Sequence, residues 1–192
     1  MGLNKMKGVF REVNMLNSIK GKMLIVVATM ALVGSSAFAT TNQSRSMEKI
    51  RKELVTLPYY GVFDNLEYKV DGDTVTLYGQ VLKPTTRKDA ERRVARIEGV
   101  DRVINNIQVL PVSGFDDSIR ARTYRAIFRS GSLYRYAMGA NPSIHIIVRN
   151  GNVTLEGVVS STMDSQLANI AARGVPGVFS VTNHLQVEGR NK

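Results

Sequence analysis

Two stretches of the chain carry the same pattern of apolar and polar positions. Leu66, Tyr68 and Val70 alternate with Glu67 and Lys69. After Asp71-Gly72-Asp73, Val75, Leu77, Gly79 and Val81 share one face, opposite Thr74, Thr76, Tyr78 and Gln80. The second stretch runs Ile144, Ile146, Val148, then Asn150-Gly151, then Val153, Leu155, Gly157, Val159. Period two with one apolar face predicts strands covered on one side. Asp71-Gly72 and Asn150-Gly151 are dipeptides that accept positive φ in tight hairpin turns. Gly79 and Gly157 fall on the inward face, where a close approach or a local bulge leaves no room for a side chain.

Helical spacing surrounds each hairpin. Met47, Ile50, Leu54 and Leu57 recur at i, i+3, i+7 and i+10 before Pro58, a stripe with a stop signal. In the second stretch Ile119, Thr123, Ala126 and Ile127 form the inner stripe, with Asp116 or Asp117 as expected N-cap and Ser130-Gly131-Ser132 as a break. A later helix carries Ala90, Val94 and Ile97, with Thr85 or Thr86 as expected cap; Ala168, Ala172 and Val175 match it. Gly99 and Gly177 end these helices. A last strand follows each, "VDRVINNIQVL" and "VFSVTNHLQVE".

The two halves align without gaps at an offset of 78 residues from Val75 to Val109, with twelve of 35 positions identical. The chain is therefore two copies of one module. Each is predicted as an α+β unit in the order α-β-β-α-β. A three-stranded mixed sheet is covered on one face by two helices. The copies are expected at residues 44–110 and 116–188. Modules this small are marginal alone, and the short linker "PVSGFDD" favours a fixed packing of one on the other.

The N-terminus is of another kind. Lys5, Lys7, Arg11, Lys20 and Lys22 precede the unbroken apolar run Met23 to Val33, and Ala37-Phe38-Ala39 follows. The run is too short to span a bilayer as a helix, and the whole reads as a cleavable secretory signal over residues 1–39. From Thr40 on, 21 Lys and Arg face 15 Asp and Glu, so a net charge of +6 survives cleavage. The chain has no cysteine, which excludes disulfides, thiolate metal sites and acylated-cysteine anchors. A basic exported protein is expected in the periplasm, where it meets anionic headgroups and acidic proteins rather than nucleic acid.

The motif "T-L-x-G-x-V", a helix, "G-V" and "V-x-N-x-[IL]-x-V" resembles the BON domain (bacterial OsmY and nodulation). Thr76, Leu77, Gly79, Val81, Gly99, Val100, Val103, Asn105, Ile107 and Val109 carry it first. Thr154, Leu155, Gly157, Val159, Gly177, Val178, Val181, Asn183, Leu185 and Val187 repeat it. A signal followed by two such domains is similar to osmotically inducible periplasmic proteins and to dual-domain outer-membrane lipoproteins. The resemblance implies a non-enzymatic envelope module without cofactor. In some relatives the first helix of the second domain contacts anionic phospholipid. Others are linked to osmotic stress, and a cytosolic relative binds potassium. A protein-binding or ion-responsive stress module without lipid contact is the alternative.

Candidate chemistry is sparse. His145 and His184 come from different elements, and the expectation for both is a surface or sheet-edge position rather than a metal site. Asp71-Gly72-Asp73 could suggest calcium, but the second copy has the uncharged Asn150-Gly151-Asn152, so turn chemistry is the reading. No phosphate loop, serine elbow or zinc-protease motif occurs, and no small-molecule substrate is implied. "ERRVAR" (Glu91 to Arg96) reads as a solvated helix face. The most suggestive surface is the first helix of the second copy. Arg122, Arg125 and Arg129 share one face, Arg120, Tyr124 and Phe128 an adjacent one, and Tyr134-Arg135-Tyr136 continues the theme. Arg122, Tyr124, Arg125, Phe128, Arg129, Tyr134 and Arg135 are the expected contacts to anionic phospholipid or to an envelope protein. The competing expectation is a solvated arginine face whose aromatic rings pack between the modules.

Overall fold

The computed structural model describes residues 36–189 except Ser130 and Ala140, with side chains described from Ser46 on. The expected leader lies outside these residues apart from its last four, which open the first helix.

The first module runs α1 (Ser36–Val55), β1 (Asn65–Asp71), β2 (Thr74–Val81), α2 (Pro84–Val94), β3 (Arg102–Asn105) and β4 (Gln108–Val109). The second runs α3 (Gly114–Phe128), a 3-10 turn (Tyr134–Ala137), β5 (Ile144–Arg149), β6 (Asn152–Val159), α4 (Thr162–Arg173), β7 (Ser180–Asn183) and β8 (Gln186–Val187). In each, the second hairpin strand lies in the middle of the sheet. It pairs antiparallel with the first, and parallel with the chain that returns through a helix. The predicted α+β architecture is the observed one.

The returning strand, predicted as one, is split in two, and an asparagine causes the split. Asn105 Oδ1 accepts the Ile107 amide at 3.1 Å, and Asn183 Oδ1 the Leu185 amide at 3.1 Å. This local side-chain bond competes with the ladder. The same side chains tie strand to helix: Asn105 Nδ2 donates to Arg87 O and Glu91 Oε2, and Asn183 Nδ2 to Ser165 O and Oγ.

Each module has its own core. Ile50, Leu54, Leu66, Val75, Leu77, Val81, Ala90 and Val94 pack together in the first. Ile119, Ile127, Ile144, Ile146, Val148, Val153, Leu155, Val159, Ala168 and Ala172 do so in the second. Both helices of a module therefore lie on the same sheet face, as the two periodicities require.

Local chemistry differs from expectation at two caps and one turn. α3 begins earlier, capped by Ser113, whose Oγ accepts the Asp116 amide at 3.2 Å. Asp116 caps nothing; it reaches the β5–β6 turn, where its carboxylate accepts the Asn150 amide at 2.9 Å and the Gly151 amide at 2.8 Å. α2 begins on Pro84 with no side-chain cap, and Thr86 is buried. Proline supplies the start because its missing N–H is an orphan there anyway. The first turn is centred on Gly72-Asp73, because Asp71 pairs with Thr74 in the ladder.

The modules dock through the segment before β1. The Ile146 amide on the edge of β5 donates to Val62 O at 2.7 Å, and Asn141 Nδ2 donates to Val55 O at 2.7 Å. His145 therefore is not a surface residue, contrary to the sequence expectation. It is buried, stacked on Tyr60 with centroids 5.4 Å apart, with Nδ1 3.2 Å from Gly61 O. Burial lowers its pKa, against smaller raising contributions from the Gly61 and Asp64 backbone. The histidine is thus held neutral while the unfolded chain takes up a proton below its ordinary value of 6.5. Stability is expected to fall as pH drops from 6.5 toward the lowered folded value. Asp64 nearby has a raised pKa, mainly from burial, and works in the opposite sense at lower pH. His145→Phe isolates the histidine's share: urea midpoints measured between pH 7.5 and 5 are expected to change less than in the wild type. An equally steep dependence in both would remove the assignment.

Candidate membrane interface

α3 is positioned by its inner residues, Ile119, Thr123 and Ile127, all fully buried over β5 and β6. The face predicted to accompany the arginine row turns inward. Arg120 is buried, with Nη2 donating to Val148 O at 2.7 Å and Nη1 to Asp117 Oδ1 at 2.5 Å. Phe128 is largely buried in the module core. Tyr124 is half-buried between Phe128, centroids 4.8 Å apart, and Phe63 of the first module, 6.3 Å away. These rings pack inside and between the modules, because at four-residue spacing they continue the buried stripe rather than the exposed one.

The arginine row itself faces out. Arg122 Nε donates to Ser118 O at 3.2 Å and Arg125 Nε to Ala121 O at 3.1 Å, both along their own helix. Among the described residues no carboxylate lies within 4.0 Å of Arg122, Arg125 or Arg129. No Asp or Glu occurs between Asp117 and Glu156, so the acidic residues of α3 are confined to its first turn. The first module differs: Lys49 lies 4.0 Å from Glu98, Arg93 lies 3.4 Å from Glu53, and Arg92 pairs with Asp89. The "ERRVAR" face is laced into local pairs.

Arg125, Arg129, Tyr124, Phe128 and Tyr134 line one open cavity of about 570 Å³ beside the break after α3. Tyr134 is 61% exposed on its rim. Arg135 turns away from this cavity. Its Nη2 donates to Asp164 Oδ2 at 2.5 Å and to the Tyr136 hydroxyl at 2.9 Å. Burial pushes the Asp164 carboxyl up, but bonds from Ser161 and Tyr136 and the Arg135 guanidinium outweigh it and hold the pKa low. Ser161 Oγ, 2.7 Å from that carboxylate, also accepts the Asp164 amide and so caps α4. The cluster is structural. Arg135 holds the 3-10 turn against α4 and is not a free cation.

His184 is exposed, with Nδ1 2.7 Å from Glu156 Oε1, and Glu156 is the cross-strand partner of His145 in the β5–β6 ladder. Among the described residues no group of three His, Cys, Asp or Glu could hold a metal, and no helix is long and apolar enough to cross a membrane. Sequence reasoning missed Asp116 as a turn clamp and missed the apolar side chains on the outside of α4. Their signal was present: Met163 and Ile170 stand off the Ala168, Ala172 and Val175 stripe.

No curated protein matches the chain. Two solved structures of CdsD, a structural protein of the type III secretion system of Chlamydia trachomatis, are similar at a distance. One, its C-terminal domain, has 10% identity, 73% of this chain and 96% of that one covered, and a TM-score of 0.30. The other has 11% identity, coverage of 72% and 90%, and a TM-score of 0.28. A family model, the BON domain, matches residues 47–111 and again 116–189. With two matching segments over most of its length, the chain belongs to the BON domain family, whose members are typically periplasmic or membrane-associated and generally non-enzymatic.

Proposed function

We propose that the protein is a non-enzymatic periplasmic envelope protein that associates with anionic phospholipid through the outer face of α3 in its second module. A role in envelope or osmotic stress protection is part of this proposal and is supported by the family to which the chain belongs. The observation that carries the reading is the row Arg122, Arg125 and Arg129 along one helix face, Arg122 half-buried and Arg125 and Arg129 exposed, with Arg122 and Arg125 bonded to backbone carbonyls of that helix. Unpaired guanidinium groups bind phosphate oxygens well, since each presents a rigid fork of donors. Each cation near an anionic surface contributes about 1 kcal/mol, screened over a Debye length.

Co-sedimentation tests this. The full chain is expected to pellet with phosphatidylglycerol-containing vesicles, less so as salt rises, and not with phosphatidylcholine alone. Arg125→Glu replaces attraction by repulsion, about 2 kcal/mol, and is expected to weaken binding roughly thirtyfold. Equal binding to both vesicle types, or none at low salt, would sink the reading.

A further inference from the structure

Resting on the lipid reading, we infer that α4 supplies the apolar half of the same interface, with Met163 and Ile170 entering the bilayer surface beside the α3 arginines. Both side chains are on the outside of the helix, Met163 69% and Ile170 65% exposed. Seven residues apart, they stand two turns from each other on one face. The buried residues Ala168 and Ala172 hold the opposite face against the core.

The two helices present one surface. They cover the same sheet face and pack on the same core. At one end the Arg135 guanidinium joins the turn after α3 to Asp164, the neighbour of Met163. At the other, a Cβ on Gly177, just past α4, would lie 3.5 Å from the Arg122 guanidinium. α3 and α4 therefore run antiparallel, and the outward arginines of one adjoin the outward apolar residues of the other. A row of cations beside exposed apolar side chains on an adjoining helix is the arrangement of an interfacial lipid contact: charge holds the headgroups while the apolar groups leave water.

The first module is a built-in comparison. At the offset of 78 residues, Met163 and Ile170 correspond to Thr85 and Arg92 of α2. Arg92 is paired with Asp89, and Thr85 is an exposed polar residue. The same helix in the same fold thus needs no apolar residue outside for its own stability. In the second module two are placed where water would otherwise cover them, next to an arginine row the first module lacks. Charge complementarity and this contrast name a lipid surface as the occupant.

The chain has no cysteine, so Met163→Cys and Ile170→Cys can each carry a single environment-sensitive fluorophore in the full protein. Lys88→Cys on the outer face of α2 is the reference. With phosphatidylglycerol–phosphatidylcholine vesicles, emission at positions 163 and 170 is expected to shift to the blue and resist aqueous quencher, while position 88 stays in water. The unlabelled double variant Met163→Gln, Ile170→Gln is expected to lose about tenfold of the binding that persists at high salt. Its salt-sensitive part remains, in contrast to Arg125→Glu. Vesicle binding with positions 163 and 170 still in water would overturn this inference and leave the α3 reading standing. No vesicle binding by the wild type would remove both.

Discussion

Gly157→Ala is expected to destabilise the second module by about 4 kcal/mol while leaving the first nearly unchanged. Gly157 sits in mid-strand at φ +118°, a region closed to residues with a Cβ. A methyl group there would collide with the Ser143 carbonyl, which is fixed because its oxygen accepts the Val158 amide at 3.0 Å. Forced backbone of this kind costs about 1–3 kcal/mol. Displacing a packed strand costs a similar amount again. Val159, buried just beyond, would be pulled out of the core.

The first module offers the matching experiment. Gly79 is at φ +110°, and its added Cβ would strike the Asn65 carbonyl. Gly79→Ala is expected to have the mirror-image effect. Amide exchange followed by peptide mass separates the two, with β5 and β6 losing protection in one variant and β1 and β2 in the other. If either alanine variant keeps wild-type protection throughout its sheet, the collision is relieved by a local shift and the glycine is not required.

These glycines were legible because the sequence places them on an inward face in both copies. The hairpins, the helix stripes and the repeat were legible for the same reason: each is written in local periodicity and confirmed by its twin. What escaped depends on residues far away in sequence. β5 is buried on both faces because Tyr60 and Gly61 of the other module cover His145, and no period within β5 announces that. The spacing separates Arg125 and Arg129 from the adjacent face of Arg120, Tyr124 and Phe128, but it does not show that neighbours cover that second face. A helical wheel gives the angle between two residues and not the arc that neighbours cover. Thr86 shows the limit of cap rules, since Pro84 could start the helix without it.

Asp116→Ala is expected to cost about 3 kcal/mol, a large effect for one carboxylate with no catalytic duty. Asp116 is fully buried, and its two oxygens accept the amides of Asn150 and Gly151 at 2.9 and 2.8 Å. Both residues have positive φ, 52° and 76°, so the turn points its amides away from the ladder and depends on an outside acceptor. Gly151 is itself buried under Phe179 and Phe115, where water does not readily replace a lost partner. Hydrogen bonds to a charged acceptor contribute about 1.5–3 kcal/mol each, and a buried donor left bare costs a comparable amount. Asp116→Asn, with one carbonyl oxygen for two amides, is expected to fall midway. For a module of this size the alanine variant corresponds to a fall in melting temperature on the order of 15 °C. The effect reaches function because the clamp fixes the N-terminal end of the helix that carries Arg122, Arg125 and Arg129. In the alanine variant the Asn150 and Gly151 amides are expected to exchange first, before the rest of β5 and β6. If they stay as protected as in the wild type, Asp116 does not hold the turn, and the orientation of the arginine row must rest on Ile119 and Ile127 alone.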